Sequence, residues 1–402
     1  MQHAFDGVRV VELAQWVFVP AAGALLADWG ADVIHVEPPQ GDPYRGLMTQ
    51  GIGADKGGVN LSMALANRGK RSIAVDLREE RGREILHRLL EGADVFLTSL
   101  RQGALRRLGL DPEALTARYR RLVYARGHGY GPAGPDAERA GYDSSAFWAR
   151  GGLGHVLTPP GRDYPIAQRG AMGDRNGGMA LAFGVAAALM RRERTGQGTV
   201  VDVSLLATAM ATLSSDLLAA LNGTPPTPSG GREAPPNPLV NTFRTKDGRH
   251  LQLVFLDADR YWARFCALLG RQDLAADPRF ADLAARGANS AACVSELDEE
   301  FARRTLDEWE RILAGFDGPW APVRSVPELI DDPQVVANGY IGTVDGGGGP
   351  AYRLPNVPVQ FDGRSAPLRR APELGEHTEA VLLELGYAWE DIASLQEAGA
   401  IP

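Results

Sequence analysis

Short β-branched and apolar runs alternate with helically spaced apolar positions through the first third of this chain. Residues 8–11, 32–36, 72–75, 95–97 and 122–125 read as strands, and residues 21–29, 79–90 and 112–119 as helices. In the second of these helices Ile85, Leu86, Leu89 and Leu90 recur at the spacing of a single face. The third follows Asp111, a good N-cap, with Pro112 at its first helical position. A glycine-rich insertion at 41–58 interrupts the series. Repeated β-α-β order with short apolar strands predicts an α/β fold, its parallel sheet covered by helices on both faces. Farther on, residues 179–190 are dense in Ala and Leu and predict a buried helix. Arg191, Arg192 and Arg194 follow it and suit its C-terminal dipole. Residues 200–203 read as a strand and 205–221 as a largely apolar helix. Six prolines and three glycines between Gly223 and Pro238 mark a linker. Beyond it, residues 239–255 read as a hairpin turning at Lys246-Asp247-Gly248, with helices predicted at 258–269, 307–314 and 378–385.

A length of 402 residues favours more than one domain. A net charge of −8 argues against nucleic acid as a partner, because phosphate binding needs positive charge. No run of 18 apolar residues occurs, and the first residues, Met1-Gln2-His3-Ala4-Phe5-Asp6, resemble no secretory leader, so neither a membrane span nor export is expected. Only Cys266 and Cys293 are present, in no ligand spacing, and the seven histidines are scattered, so no metal site is predicted and a reducing cytoplasm fits.

A doubly wound sheet invites a dinucleotide reading, but the first strand leads into Ala14-Gln15-Trp16-Val17-Phe18-Val19-Pro20, without G-x-G-x-x-G. The cluster Gly127-His128-Gly129-Tyr130-Gly131 runs into Pro132 and Pro135 rather than a helix. P-loop, G-x-S-x-G and H-E-x-x-H patterns are absent. What stands out is Gly170-Ala171-Met172-Gly173-Asp174-Arg175-Asn176-Gly177-Gly178. Asp174 before an apolar helix reads as an N-cap. It also reads as a carboxylate kept ionised by the helix dipole, a possible covalent nucleophile, with Gly177 and Gly178 leaving room for a substrate.

Several segments carry a resemblance. They are Leu26-Ala27-Asp28-Trp29-Gly30-Ala31-Asp32-Val33-Ile34, Asn67-Arg68-Gly69-Lys70-Arg71-Ser72-Ile73-Ala74-Val75-Asp76, Arg192-Glu193-Arg194-Thr195-Gly196-Gln197-Gly198, Val201-Asp202-Val203-Ser204-Leu205-Leu206, Asp332-Pro333-Gln334-Val335 and Leu374-Gly375-Glu376-His377-Thr378. In this order they resemble the class III CoA-transferase family, which includes formyl-CoA and carnitine CoA-transferases and is related to α-methylacyl-CoA racemase. The resemblance implies a Rossmann-like large domain built from both chain ends, here 1–222 and 327–402, with the linker 223–238 and a smaller α+β domain at 239–326. It implies an interlocked homodimer, and acyl-CoA with a carboxylic acid as substrates, without a tightly bound cofactor. Asp174 falls where the family has its acyl-accepting nucleophile, and Tyr142 becomes a candidate oxyanion donor. Arg107, Lys70 and Arg71 become candidates for the CoA phosphates. Ser99 and Leu100 fall where relatives contact adenine.

Departures sharpen the expectation. Val17 replaces a Gln common in transferases, Glu37-Pro38-Pro39 lacks the Arg of E-R-P, and Thr98-Ser99-Leu100 replaces E-N-F/Y. No glycine-rich active-site loop occurs near 241–247. A small polar acyl group is therefore not expected, and Phe18 with Trp148 points to a larger apolar one. The racemase alternative needs bases on both faces of the α-carbon. Racemases supply a His in G-H-D, whereas this chain reads Gly141-Tyr142-Asp143, leaving His128 and His155 as substitutes. A non-catalytic CoA-binding protein would be free to lose Asp174.

Overall fold

The computed structural model describes residues 3–50, 55–224 and 231–402. Parts of the glycine-rich insertion (51–54), of the linker (225–230) and of the N-terminal reading (1–2) lie outside the described residues. The chain divides into two compact units, one of Met1–Ser214 with Pro333–Pro402, the other Ser215–Asp332.

The first unit is built on six parallel strands: β1 (Arg9–Leu13), β2 (Asp32–Glu37), β3 (Arg71–Ala74), β4 (Val95–Thr98), β5 (Val123–His128) and β6 (Val200–Ser204). Their spatial order is β3-β2-β1-β4-β5-β6, the dinucleotide-fold order, which reverses between β1 and β4. Register sets Val10 beside Val33 and Val95. Because strand side chains alternate, Val10, Val33, Val95, Leu97 and Val123 face one core, while Val11, Ile34, Ile73, Phe96 and Tyr124 face another. The first core is closed by helices Phe18–Asp28 and Met172–Thr195. The second is closed by Glu80–Glu91 and by two C-terminal helices, Thr378–Glu384 and Trp389–Glu397. With both faces covered, the strands read as continuous apolar runs.

Two helices depart from expectation. The long helix starts at Met172, well before the Ala- and Leu-rich stretch, and ends at Thr195 with Gly196 at φ 71°. The stretch 205–221 is two helices, Leu205–Thr212 and Ser214–Leu221. Thr208 and Thr212 turn their hydroxyls back onto the Ser204 and Thr208 carbonyls, both at 2.9 Å, a habit that bends helices.

The second unit pairs strands Val240–Arg244, His250–Val254 and Trp320–Pro322 antiparallel over a core that includes Phe243, Phe265, Phe301 and Trp309. Cys266 and Cys293 are buried in it, and burial pushes both thiols up to about 12, so neither is poised as a nucleophile. Among the described residues no helix is long and apolar enough to cross a membrane.

Candidate active site

In a parallel sheet all carboxyl ends lie at one edge, and a crevice opens where strand order reverses. Here that crevice is a cavity of about 320 Å³. Gln15, Trp16 and Phe18 enter it after β1, Ser99, Leu100 and Arg101 after β4, and His128 and Gly129 at the end of β5. Tyr142 and Asp174 also line it, as does Arg139. The Gln15 N–H donates to Ser99 Oγ at 3.0 Å and so ties the loops on either side of the reversal. Leu100 N–H donates to Thr98 Oγ1 at 3.2 Å.

Asp174 is the third residue of the long helix, not its cap. The cap position belongs to Ala171, at φ 58°, which offers no side-chain acceptor. Asp143 takes over from another segment: its Oδ1 accepts the Gly173 N–H at 3.0 Å and the Gln168 amide at 2.8 Å. A side chain at Gly173 would meet the Phe147 ring at 2.2 Å and Asp143 Oδ1 at 2.4 Å, so only glycine lets this carboxylate approach the helix end. Burial raises the Asp143 pKa, opposed by the hydrogen bonds it accepts from Gln168 and from the backbone at the start of the long helix. Burial likewise raises Asp174, assisted by the charge of Asp143 and opposed by Arg175, to about 7. The dipole expected to keep Asp174 ionised is thus outweighed by desolvation and a like charge.

The glycines after Asp174 serve packing. A Cβ on Gly177 would sit 2.5 Å from the Phe18 ring, and one on Gly178 would sit 3.0 Å from the Phe18 carbonyl. A Cβ on Gly127 would sit 2.8 Å from the other edge of the same ring. These glycines hold Phe18 between the long helix and β5 rather than clearing space for a substrate. Trp148, expected near the acyl group, is a core residue packed with Ala146, Phe147 and Leu153 and does not line the cavity.

Tyr142 is 59% exposed and opens a π-helical turn, Asp143–Ala149; its ring meets Trp16 edge-on at 5.6 Å. The cations divide. Lys70 is fully buried, its amine 2.7 Å from Glu12 Oε1, 2.8 Å from the Pro20 carbonyl and 2.9 Å from Asn67 Oδ1. That corrects the expectation of a phosphate contact, since no donor surface is left. Arg71 opens β3 at the amino edge of the sheet, opposite the cavity, and pairs with Asp32 and Glu384, both at 2.7 Å. It too is withdrawn from the phosphates. Arg107 is exposed in the last turn of Gln102–Leu108, without an ion pair among the described residues. Arg101, which the sequence did not single out, lines the cavity, as does Trp16, while Asp143 stands behind Asp174. Asp143 acts across 30 residues of sequence and Trp16 through backbone geometry, so neither left a local signal. His128 lines the cavity with Nε2 2.8 Å from Asp202, whereas His155 is exposed on a short helix.

Comparison with known proteins sets this geometry in context. The model of CoA-transferase family III matches residues 5–378. Cinnamoyl-CoA:phenyllactate CoA-transferase of Clostridium sporogenes is 35% identical, over 98% of this chain and 96% of its own. (R)-2-Hydroxy-4-methylpentanoate CoA-transferase of Clostridioides difficile is 32% identical, over 98% and 99% respectively. A crystal structure of a CAIB/BAIF family protein from Brucella suis superposes with a TM-score of 0.81 at 34% identity, covering 96% of this chain and all of that one. A family match across nearly the whole sequence and a shared architecture agree with a carboxyl-lined cavity at the strand reversal, and the chain belongs to CoA-transferase family III.

Proposed function

We propose that the protein moves CoA from an acyl-CoA donor to a carboxylic acid through covalent species on Asp174. The observation that carries this reading is the Asp174 carboxyl in the cavity at the strand reversal, with a pKa raised to about 7. A carboxylate of that basicity is largely ionised just above neutrality and is a better nucleophile than an ordinary Asp. Asp174 attacks the donor carbonyl and expels CoA thiolate, leaving a mixed anhydride. The thiolate attacks the aspartyl carbonyl of that anhydride, frees the donor acid and leaves an aspartyl-CoA thioester. The acceptor carboxylate attacks this thioester, releasing thiolate and forming a second anhydride. The thiolate then takes the acceptor acyl group and restores the Asp174 carboxylate. In this reading the Tyr142 hydroxyl, which borders the same cavity, donates to an oxyanion along this route. Arg107 and the cavity residue Arg101 supply charge for CoA phosphates, and Ser99 and Leu100 border the nucleotide.

Trp16, Phe18 and Tyr142 favour a larger apolar acyl group, as the names of the two relatives above do for those proteins. A racemase would need a second base; Tyr142 stands in its place, His128 is engaged by Asp202, and the relatives named above are transferases. We further propose a cytoplasmic, interlocked homodimer. Met172, Met179, Phe183 and Met190 lie along one side of the long helix and are 39%, 40%, 76% and 60% exposed, an apolar stripe suited to a second copy. Incubation with acyl-CoA and hydroxylamine should convert Asp174 to a hydroxamate, read by mass spectrometry. A hydroxamate only elsewhere, or full CoA transfer by Asp174→Asn, would refute the nucleophile. Folded monomer at nanomolar concentration in sedimentation would refute the interlocked dimer.

A further inference from the structure

Three described residues other than glycine hold left-handed backbone: Trp16 at φ 71°, Ala171 at 58° and Asp362 at 52°. Two of them, Trp16 and Ala171, pack against one small apolar cluster of Val17, Ala21, Tyr44, Met63 and Ala66. A bulky residue at positive φ is strained, and such strain persists only where the surroundings impose it. For Trp16 the imposing group is Asp42. This carboxylate is 2% exposed, and both its oxygens face the Trp16 N–H, at 3.1 and 3.3 Å. Asp42 also accepts the Tyr44 N–H at 2.8 Å and donates its own N–H to Glu37 at 2.9 Å. Glu37 is in turn clamped by Arg45 at 2.6 and 2.7 Å. A buried, braced carboxylate thus holds a backbone that glycine would adopt without strain, and the residue held there is the largest side chain available.

The indole that results lines the nucleophile's cavity. It stands edge-on to Tyr142, with ring centres 5.6 Å apart at 81°, and to Tyr44, 6.3 Å apart at 60°. Through the shared cluster it reaches Ala171, three residues before Asp174. The cavity, at about 320 Å³, is near the small end of ligand sites. An aromatic wall of this kind favours a flat ring over a flexible alkyl chain, because edge-to-face contact adds to area burial.

We propose that Trp16 is the specificity-determining wall of the acyl subsite, selecting aryl-substituted acids, and that Asp42 is the positioning residue that acts through it. The proposal rests on the Asp174 reading above. The test compares 3-phenylpropanoyl-CoA with butanoyl-CoA as donors, each scored as kcat/KM. The wild-type ratio should favour the aryl donor. Trp16→Gly keeps the backbone unstrained and removes only the ring, so the ratio should fall at least tenfold, chiefly through KM for the aryl donor. Trp16→Phe should recover much of it. Asp42→Asn keeps the volume but turns a donor toward the Trp16 N–H, and should lower the ratio without any change at Trp16 itself. If Trp16→Gly does not fold, Trp16→Asn tolerates the same φ and reads the same ratio. A wild-type ratio at or below one, or a ratio within twofold of wild type in a folded Trp16 variant, overturns the wall. Asp42→Asn with an unchanged ratio overturns the positioning role. Hydroxylamine trapping with butanoyl-CoA separates this from the parent reading. A hydroxamate on Asp174 with an unmoved ratio sinks the wall and spares the nucleophile; a collapsed ratio with the adduct elsewhere does the reverse.

Discussion

Replacing Asp174 by Asn should abolish transfer and, above neutral pH, make the protein more stable. The native carboxyl is raised from 3.8 to about 7, mainly by burial. In the unfolded chain it ionises near ~3.9. Below about pH 4 both states are protonated and the residue costs nothing. As pH rises the unfolded state ionises first, so native stability is lost progressively until the folded carboxyl has also ionised, above about pH 7. Three units at about 1.4 kcal/mol each set a ceiling of ~4 kcal/mol. Asp174 is only partly buried, so solvent screening leaves roughly 2–4 kcal/mol. Asn is always neutral and escapes this loss. Its capping consequences are small, because Asp143 rather than Asp174 holds the helix end. At about 2 °C per kcal/mol for a domain of this size, the variant should melt roughly 4–8 °C above wild type at pH 8 and near it at pH 4.5. Calorimetry of both proteins across that range is the assay. A variant that melts at or below wild type at pH 8, or a gap that does not grow with pH, would show that Asp174 is not carried at a stability cost.

Other perturbations follow from the same geometry. The kcat/KM for CoA transfer should rise about tenfold per pH unit below a midpoint near 7 as Asp174 ionises, and a flat profile from pH 5 to 8 contradicts the assignment. Asp143→Asn removes the like charge and should move that midpoint to lower pH, whereas a purely structural Asp143 would leave it in place. Lys70→Met should cost about 3 kcal/mol in chemical denaturation, because buried Glu12 would lose its ammonium partner and keep only His35, at 2.7 Å; a large rise in KM for CoA at unchanged stability would return Lys70 to the phosphate site. Gly177→Ala should destabilise by about 1–3 kcal/mol, since its Cβ would fall 2.5 Å from the Phe18 ring, and a neutral effect would mean that the ring moves freely.

Much of the sheet was legible in the sequence because each buried parallel strand is a short apolar run, and strands β1 to β5 fall within a few residues of their predicted places. The helix Ala258–Leu269 was read to the residue, its apolar spacing unbroken and Gly270 beyond it. Helix Trp389–Glu397 was missed: Ile392 and Leu395 are its only buried residues, too few to make a pattern. At the site, Asp174, Tyr142, Ser99 and Leu100 share one cavity because their loops leave the same edge of the sheet. Lys70 and Arg71 could not be sorted from Arg107 by residue type alone. What separates them is burial beside Glu12, the amino end of a strand and an open helix turn, and all three depend on tertiary placement. The early start of the long helix was hidden because its first-turn acceptor is supplied from Asp143, far away in sequence.

The second face of the sheet, partly covered by Glu80–Glu91, is completed by residues 378–401. Val381, Leu382, Ile392, Leu395, Ala400 and Ile401 pack against the strands, and Asp76 N–H donates to the Ala400 carbonyl at 2.9 Å. Edge strand β3 is finished the same way, by Thr378 Oγ1 on the Ala74 N–H at 3.0 Å and by His377 N–H on the Ser72 carbonyl at 2.9 Å. β6 is complete at Ser204, nearly two hundred residues earlier. At about 5–20 residues per second, a ribosome spends roughly 10–40 s between those points. Throughout that interval the nascent sheet carries an apolar face only partly covered, by Glu80–Glu91, and an open edge, the features that recruit chaperones and seed aggregation. Consolidation of this unit therefore waits on residues 378–401, which act as its latch. A stop codon or a bulky fusion placed there would lower yield far more than its distance from the cavity suggests.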